Sequence, residues 1–333
     1  MKAVQIKNYS KNIDTVLCDI PVPEVGDKEI LIKVKATAVN PLELLIITGS
    51  VKLIQDYKMP VTLGNECSGV VEKIGKNVTE FREGDMVYTR LPLGKIGAFA
   101  EYVAVEQGAV AKMPKDYDFI TATAIPLTAL TAYQGIVEEL EAKRGETLLI
   151  TGGSGSFGEM AVPIAKELGL NVIVTGNERA KQHFIDMGTD KYIDYKKENY
   201  WEMLSGVDYV IDTLGDAEFE HELSVLKKGG RLLSLKNVPN KKFAVKNGFP
   251  LSKRTLFSLA GAKYDKAAEK QGKEYRFMFV RSDGEQLKKI TQIVEKNNIV
   301  PQVDSRIFSI EQVNEALKLV ANGHTNGKVV IKM

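Results

Sequence analysis

The sequence predicts an α/β protein: a compact, barrel-like β domain followed by a doubly wound parallel sheet. Three features predict it. Short alternating strands crowd the first 120 residues. Near residue 121 the pattern switches to strands alternating with helical periods. A glycine-rich turn then joins a strand to a helix. At roughly 150 residues per domain, 333 residues make about two domains.

The β part comes first. Ile30-Leu31-Ile32-Lys33-Val34-Lys35-Ala36 is largely alternating and β-branched, as a half-buried strand requires. Gly69-Val70-Val71-Glu72-Lys73-Ile74-Gly75 and Asp85-Met86-Val87-Tyr88 follow the same rule. Turn signals at 23–27, 75–77 and 83–85 separate them.

The parallel-sheet part reads as strands at 147–151, 171–175, 191–194, 207–212 and 230–235, with helical stretches between several of them. The last sixty residues depart again. A strand is expected at Phe277-Met278-Phe279-Val280, helices at 284–297 and 310–322, and a strand at 327–332. This tail can return to the first domain, which gives boundaries of 1–120 with 276–333, and 121–275. The mixed-charge run 263–276 reads as a solvated helix, because alternating signs favour an exposed helix face.

Charge and cysteine content exclude several classes. Lys and Arg total 45 against 43 Asp and Glu, a net charge of +2, which leaves no electrostatic footprint for nucleic acid. Cys18 and Cys67 are the only cysteines, too few for a disulfide framework, and point to a reducing compartment. The first eight residues lack the apolar core of a signal peptide. The uncharged stretch 119–137 is long enough to span a bilayer. It contains Thr121, Thr123, Pro126, Thr128, Thr131 and Gln134, and is read as a buried helix–turn–helix junction. A cytoplasmic protein is expected.

Gly153-Ser154-Gly155-Ser156-Phe157-Gly158 fits G-x-G-x-x-G, with a strand before it and a helix after it. Glycine allows the tight turn and lets backbone amides approach a pyrophosphate at the helix N-terminus. Pro163 is expected to kink that helix. A carboxylate at the end of the second strand favours NAD; its absence, with cations near, favours NADP. The chain reads Thr175-Gly176-Asn177-Glu178-Arg179-Ala180-Lys181. Gly176 and Asn177 are uncharged, and Arg179 and Lys181 are near. Glu178 is placed in the first helical turn behind an Asn177 cap. NADPH is expected over NADH, with Glu178 the complication.

The three histidines, His183, His221 and His324, all follow residue 182 and read as surface or helix positions. Zinc needs three or four converging Cys, His or carboxylate ligands, and Cys67 beside Glu66 is no such set. Cys67 reads as a packed thiol.

Several motifs in one order resemble a single superfamily, the medium-chain dehydrogenases/reductases, and within it the zinc-free quinone oxidoreductase branch. They are Val39-Asn40-Pro41-Leu42-Glu43, Gly64-Asn65-Glu66-Cys67-Ser68-Gly69-Val70-Val71, Gly84-Asp85-Met86-Val87, Gly97-Ala98-Phe99-Ala100-Glu101-Tyr102-Val103, Leu127-Thr128-Ala129-Leu130-Thr131-Ala132-Tyr133 and the glycine turn. The resemblance implies a GroES-like domain built from both chain ends, a Rossmann domain between them, and a homodimer. Its zinc enzymes carry a catalytic cysteine where Asn40 stands, a ligand histidine where Asn65 stands, and a four-cysteine lobe that this chain lacks.

The implied activity is hydride transfer from NADPH to a quinone or an α,β-unsaturated carbonyl compound. Without a Lewis acid, an acceptor that delocalises the incoming charge is favoured over an unactivated alcohol. Asn40 and Asn65 can donate hydrogen bonds to the acceptor or serve their loops. A tyrosine that several relatives carry after the Asn-Pro motif is Leu45 here, and Tyr57 can substitute. By resemblance, Ser154, Gly155, Ser156, Phe157 and Gly158 hold the pyrophosphate. Gly176, Asn177, Arg179 and Tyr195 surround the adenosine ribose and its phosphate. Leu214, Phe279 and Val280 line the nicotinamide end or pack the core. A plain carbonyl reductase and a nucleotide-binding redox sensor without catalysis are the rivals.

Overall fold

The computed structural model describes residues 1–323 and 325–333; His324 lies outside the described residues. The chain divides into two compact units, Met1–Leu130 with Arg281–Met333, and Thr131–Val280.

The first unit begins with β1 (Lys2–Ile6), β2 (Val16–Asp19), β3 (Glu29–Val39), α1 (Pro41–Ile47), β4 (Val61–Thr62), β5 (Glu66–Ile74), β6 (Met86–Arg90), β7 (Tyr102–Glu106) and β8 (Val110–Lys112). Next come α2 (Phe119–Thr123) and α3 (Pro126–Gln134), within which the first boundary falls. The second unit holds β9 (Thr147–Thr151), α4 (Ser156–Glu167), β10 (Asn171–Gly176), α5 (Lys181–Asp186), β11 (Lys191–Asp194) and α6 (Tyr200–Met203). It continues with β12 (Val207–Asp212), α7 (Phe219–Val225), β13 (Leu226–Ser234), α8 (Lys241–Lys246), α9 (Leu251–Lys270) and β14 (Glu274–Phe277). The tail adds α10 (Gly284–Asn297), β15 (Val303–Ser309), α11 (Val313–Ala321) and β16 (Lys328–Lys332) to the first unit.

In the first unit β3 is the hub. It pairs antiparallel with β5, β7 and β16, and the larger sheet runs β15-β16-β3-β5-β6-β8. Alternation along β3 sends Ile30, Ile32 and Val34 into one core with Cys67, Val71, Val87, Val103 and Val105. Each such aliphatic side chain stabilises the fold by roughly 1.5–3 kcal/mol when buried. Near the other end of β3, Ala36 and Ala38 pack with Val330 of β16. The chain's two ends are therefore joined by one strand pair.

The apolar run Phe119–Glu139 is long and apolar enough to cross a membrane, and 67% of its most apolar window is buried inside the protein. It is broken between α2 and α3, with Pro126 opening α3, where a missing N–H costs nothing.

In the second unit all strand pairs are parallel, in the order β11-β10-β9-β12-β13-β14. The order reverses between β9 and β12, so the Rossmann switch point lies beyond their carboxyl ends. Two expectations are corrected here. The strand expected at Phe277-Met278-Phe279-Val280 is β14, Glu274–Phe277, and it joins the parallel sheet through β13. Its alternation was masked by Glu274 and Arg276, which flank the buried Tyr275. The run 263–276 is not one solvated helix. It completes α9, where Tyr264 and Ala268 are buried, turns at Gly272 with φ +68°, and enters β14. Helix α4 continues through Pro163, a buried position.

Candidate functional site

In the second unit the site grows from the end of β9. The Gly153 N–H donates to Thr175 O at 2.9 Å, and the Gly152 N–H to Thr175 Oγ1 at 3.0 Å. These bonds fold the turn against β10 and leave Gly155 as the N-cap of α4. A Cβ on Gly158 would stand 1.7 Å from Gly153 O, so only glycine lets the helix approach its own turn so closely. The close turn and the unpaired N–H groups of the first helical residues suit a pyrophosphate. A dinucleotide fits these residues. The chemistry it would supply there, when bound, is hydride transfer.

Asn177 caps the next turn, its Oδ1 accepting from the Ala180 N–H at 3.2 Å, while its Nδ2 donates to Ser154 Oγ at 3.3 Å. Tyr192 Oη donates to Asn177 O at 2.6 Å, and a Cβ on Gly176 would lie 2.1 Å from Tyr192 Oη. The Tyr195 N–H donates to Gly176 O at 3.2 Å and its side chain is exposed. Ser154, Gly176, Asn177 and Tyr195 are thus brought together. Glu178 and Arg179 are exposed, and Lys197 forms an ion pair with Glu178. Lys197 had no signal in the sequence, being one of several charges in a polar stretch.

At the switch point the Asp212 carboxylate accepts from the Leu214 N–H (2.6 Å), the Gly215 N–H (2.7 Å) and Ser234 Oγ (2.5 Å). Leu214 lies against Gly152, where an added Cβ would meet it at 2.5 Å. Phe279 and Val280 follow β14, Phe279 half-buried and Val280 buried. Behind the turn, Thr151 Oγ1 donates to Glu222 Oε1 at 2.5 Å. Burial, reinforced by Asp212, pushes the Glu222 carboxyl up to about 9. His183 Nε2 lies 2.9 Å from Glu159 Oε1, and His221 stacks on Trp201.

In the first unit a polar network is buried where β3, α1, β5, β6 and β16 meet. Asn40 and Asn65 are 3% and 0% exposed. The Asn40 Nδ2 donates to Glu66 Oε1 at 2.9 Å and to Ala38 O at 3.4 Å. Lys328 Nζ donates to Asn40 Oδ1 at 2.5 Å and lies 2.8 Å from Glu66 Oε1. Glu66 Oε2 accepts from the Leu127 N–H at 2.7 Å. Glu43 Oε2 accepts from the Asn40 N–H at 2.6 Å, while Oε1 accepts from the Asn65 N–H at 3.1 Å and from Asn65 Nδ2 at 2.7 Å. Burial pushes the Glu43 carboxyl up to about 7 despite these donors. Tyr57 is buried, and its hydroxyl has no hydrogen-bond partner. Cys67 is buried in the β core, and burial pushes its thiol up.

A zinc ion does not fit this network. Two side chains are amides, and a lysine ammonium already lies between Glu66 and Asn40. Among the described residues no group of three or more His, Cys, Asp or Glu is placed to hold a metal. Glu43, Glu66, Arg90 and Lys328 were missed in the sequence as site residues. Only Glu43 had a local signal, the Asn40-x-x-Glu43 spacing of a capping box.

Two family descriptions match the chain: alcohol dehydrogenase GroES-like domain over residues 26–115, and zinc-binding dehydrogenase over residues 187–331. The 2-methylene-furan-3-one reductase of Solanum lycopersicum is 30% identical over 99% of this chain and 79% of its own length. The chain belongs to the medium-chain dehydrogenase/reductase superfamily. It is an oxidoreductase of that superfamily. The chloroplastic NADPH-dependent alkenal/one oxidoreductase of Arabidopsis thaliana is also 30% identical, over 99% of this chain and 79% of that protein. The quinone oxidoreductase of Coxiella burnetii is 26% identical in sequence. It superposes with a TM-score of 0.83, covering 100% of this chain and 99% of that one.

Proposed function

We propose that this medium-chain reductase transfers hydride from NADPH to quinones or α,β-unsaturated carbonyl compounds without zinc. The observation that carries the reading is the buried network of Asn40, Asn65, Glu43, Glu66 and Lys328, which offers fixed N–H donors and no metal ligand set. Such a site suits an acceptor that spreads incoming charge onto its own oxygen. The names of the relatives from Solanum and Arabidopsis, both acting on conjugated carbonyls, support the same class.

On the cofactor side, Ser154, Gly155, Ser156, Phe157 and Gly158 hold the pyrophosphate at the start of α4. Gly176, Asn177 and Tyr195 take the adenosine ribose, and Arg179 meets a 2′-phosphate. Lys197, paired with Glu178, reduces the repulsion that carboxylate would exert on the phosphate. Leu214, Phe279 and Val280 form the apolar wall for the nicotinamide. On the acceptor side, Asn65 keeps one amide N–H beyond its bond to Glu43, and Tyr57 has a hydroxyl to donate. Asn40, with both amide hydrogens directed to Glu66 and Ala38, positions the network.

Cys18 and Cys67 are unpaired thiols, in keeping with a cytoplasmic site of action. A homodimer is proposed from the family resemblance, and sedimentation of the purified protein tests it. The test of function is oxidation of NADPH with an enone and a quinone after treatment with a chelator. Cofactor labelled with deuterium at C4 should deliver the label to the enone β-carbon. Label at the carbonyl carbon would make the protein a plain carbonyl reductase. Cofactor binding without turnover of any acceptor would make it a sensor.

A further inference from the structure

Four of the buried side-chain atoms that lack a hydrogen-bond partner belong to three residues of the first unit: Tyr57 Oη, Asn65 Oδ1, and Nε and Nη2 of Arg90. Arg90 is 0% exposed. Its one hydrogen bond among the described residues runs from Nη1 to Leu91 O. Strand register sets Arg90 opposite Glu66, and the Leu91 N–H donates to Asn65 O at 2.7 Å. The guanidinium therefore emerges beside the network built on Asn65 and Glu66. It feels the charges of Glu66 and Glu43 without touching either, and Tyr57 lies within its electrostatic reach.

A buried guanidinium with one edge unpaired is costly. The Nε–H and Nη2–H groups form a planar fork suited to an oxygen that bears negative charge. Tyr57 adds a buried hydroxyl donor without a partner, on a segment where its neighbours Asp56 and Lys58 are exposed.

We infer that the unpaired edge of Arg90 and the Tyr57 hydroxyl form an oxyanion subsite for the carbonyl oxygen of the acceptor. The inference rests on the reductase reading above and names the residues that receive the charge. As an enone gains hydride at its β-carbon, the C=C pair moves to the Cα–C bond and the C=O π pair moves to oxygen. The enolate oxygen so formed takes the Arg90 fork. The Tyr57 hydroxyl hydrogen-bonds to it, and a proton from solvent completes the reduction at Cα. With a quinone the same charge lands on the quinol oxygen and is protonated there.

The test uses 4-nitrophenol, a phenol whose ionised form has its own absorption band, added to the protein saturated with oxidised cofactor. Bound probe should ionise at lower pH than free probe. Arg90→Met should abolish that shift, and Arg90→Lys should keep part of it. Arg90→Met should also lower kcat for an enone on the order of 10²–10³-fold, as loss of an oxyanion donor does. Its unfolding temperature should not fall, because Met removes an unpaired buried charge. A structural arginine would instead show parallel losses of stability and rate. If Arg90→Met does not fold, Arg90→Lys and Tyr57→Phe carry the test, and Tyr57→Phe should weaken probe binding. The inference is overturned if bound probe ionises as it does in solution, or if Arg90→Met and the wild type titrate it alike. Failure of the functional reading looks different: the wild-type protein would shift the probe yet reduce neither enone nor quinone.

Discussion

Lys328 and Asn40 stand 288 residues apart in the chain, and the Lys328 ammonium donates to the Asn40 amide oxygen at 2.5 Å. Pairing of β16 with β3, Val329 opposite Val39, brings them together. The contact fixes which way the Asn40 amide points: its oxygen faces the ammonium and its nitrogen faces Glu66. Neither side chain reaches this orientation from local structure.

The ion pair beneath Asn40 gives a stability prediction. Lys328→Met leaves Glu66 buried without its cation, a change that typically costs about 3–5 kcal/mol. The first unit should unfold at markedly lower denaturant concentration. Lys328→Met combined with Glu66→Met should recover part of the loss, because neither member of the pair is left alone, although the Leu127 N–H then lacks its acceptor. Equal losses in the single and double variants would show that Lys328 acts through packing alone.

Glu222 sets a pH dependence. Its carboxyl has an ordinary value near 4.3 and is raised to about 9 in the fold, chiefly by burial. A raised value means the native state holds the proton more tightly. The stability it contributes is full below about pH 4 and is lost as pH rises towards 9. Glu43, raised to about 7, slopes the same way up to that pH. Glu222→Gln should raise the unfolding temperature at pH 9 and change it little at pH 4. Thermal melts across this range check the sign.

The proposed cofactor preference is tested at the end of β10. If Arg179 meets a 2′-phosphate, as proposed, Arg179→Ala removes a charge-assisted contact worth roughly 1.5–3 kcal/mol. NADPH affinity should fall about tenfold to hundredfold, with NADH little changed. Glu178→Gln should tighten NADPH by a smaller factor, since Glu178 is exposed and already paired with Lys197. Fluorescence titrations with both cofactors decide, and equal losses for both in Arg179→Ala would remove the phosphate from its role.

Gly176 tests the proposed ribose end. An alanine methyl there would stand 2.1 Å from Tyr192 Oη and 2.4 Å from Ser154 Cβ. Overpacking of this kind costs on the order of 1–3 kcal/mol. Gly176→Ala should weaken both cofactors at least tenfold by displacing Ser154 from the glycine turn. Tyr192→Phe in the same background should restore part of the affinity, because it removes the nearest clashing atom.

The sequence by itself determined whatever is encoded within a few residues. The glycine turn, the Asn177 cap, the strand–helix alternation of the second unit and helix α10 were legible because each rests on local spacing. Strand β14 was hidden, because an edge strand that buries only alternate residues looks like a charged helix tail when Glu274 and Arg276 intervene. The tertiary structure alone decided the buried polar network of the first unit. Asn40, Glu66, Arg90 and Lys328 come from the end of β3, from β5, from β6 and from β16. No spacing within a single segment relates them. What joins them is the register of an antiparallel sheet closed by the chain's two ends. What makes them matter is burial, which turns ordinary surface residue types into fixed donors, fixed charges and an unpaired guanidinium.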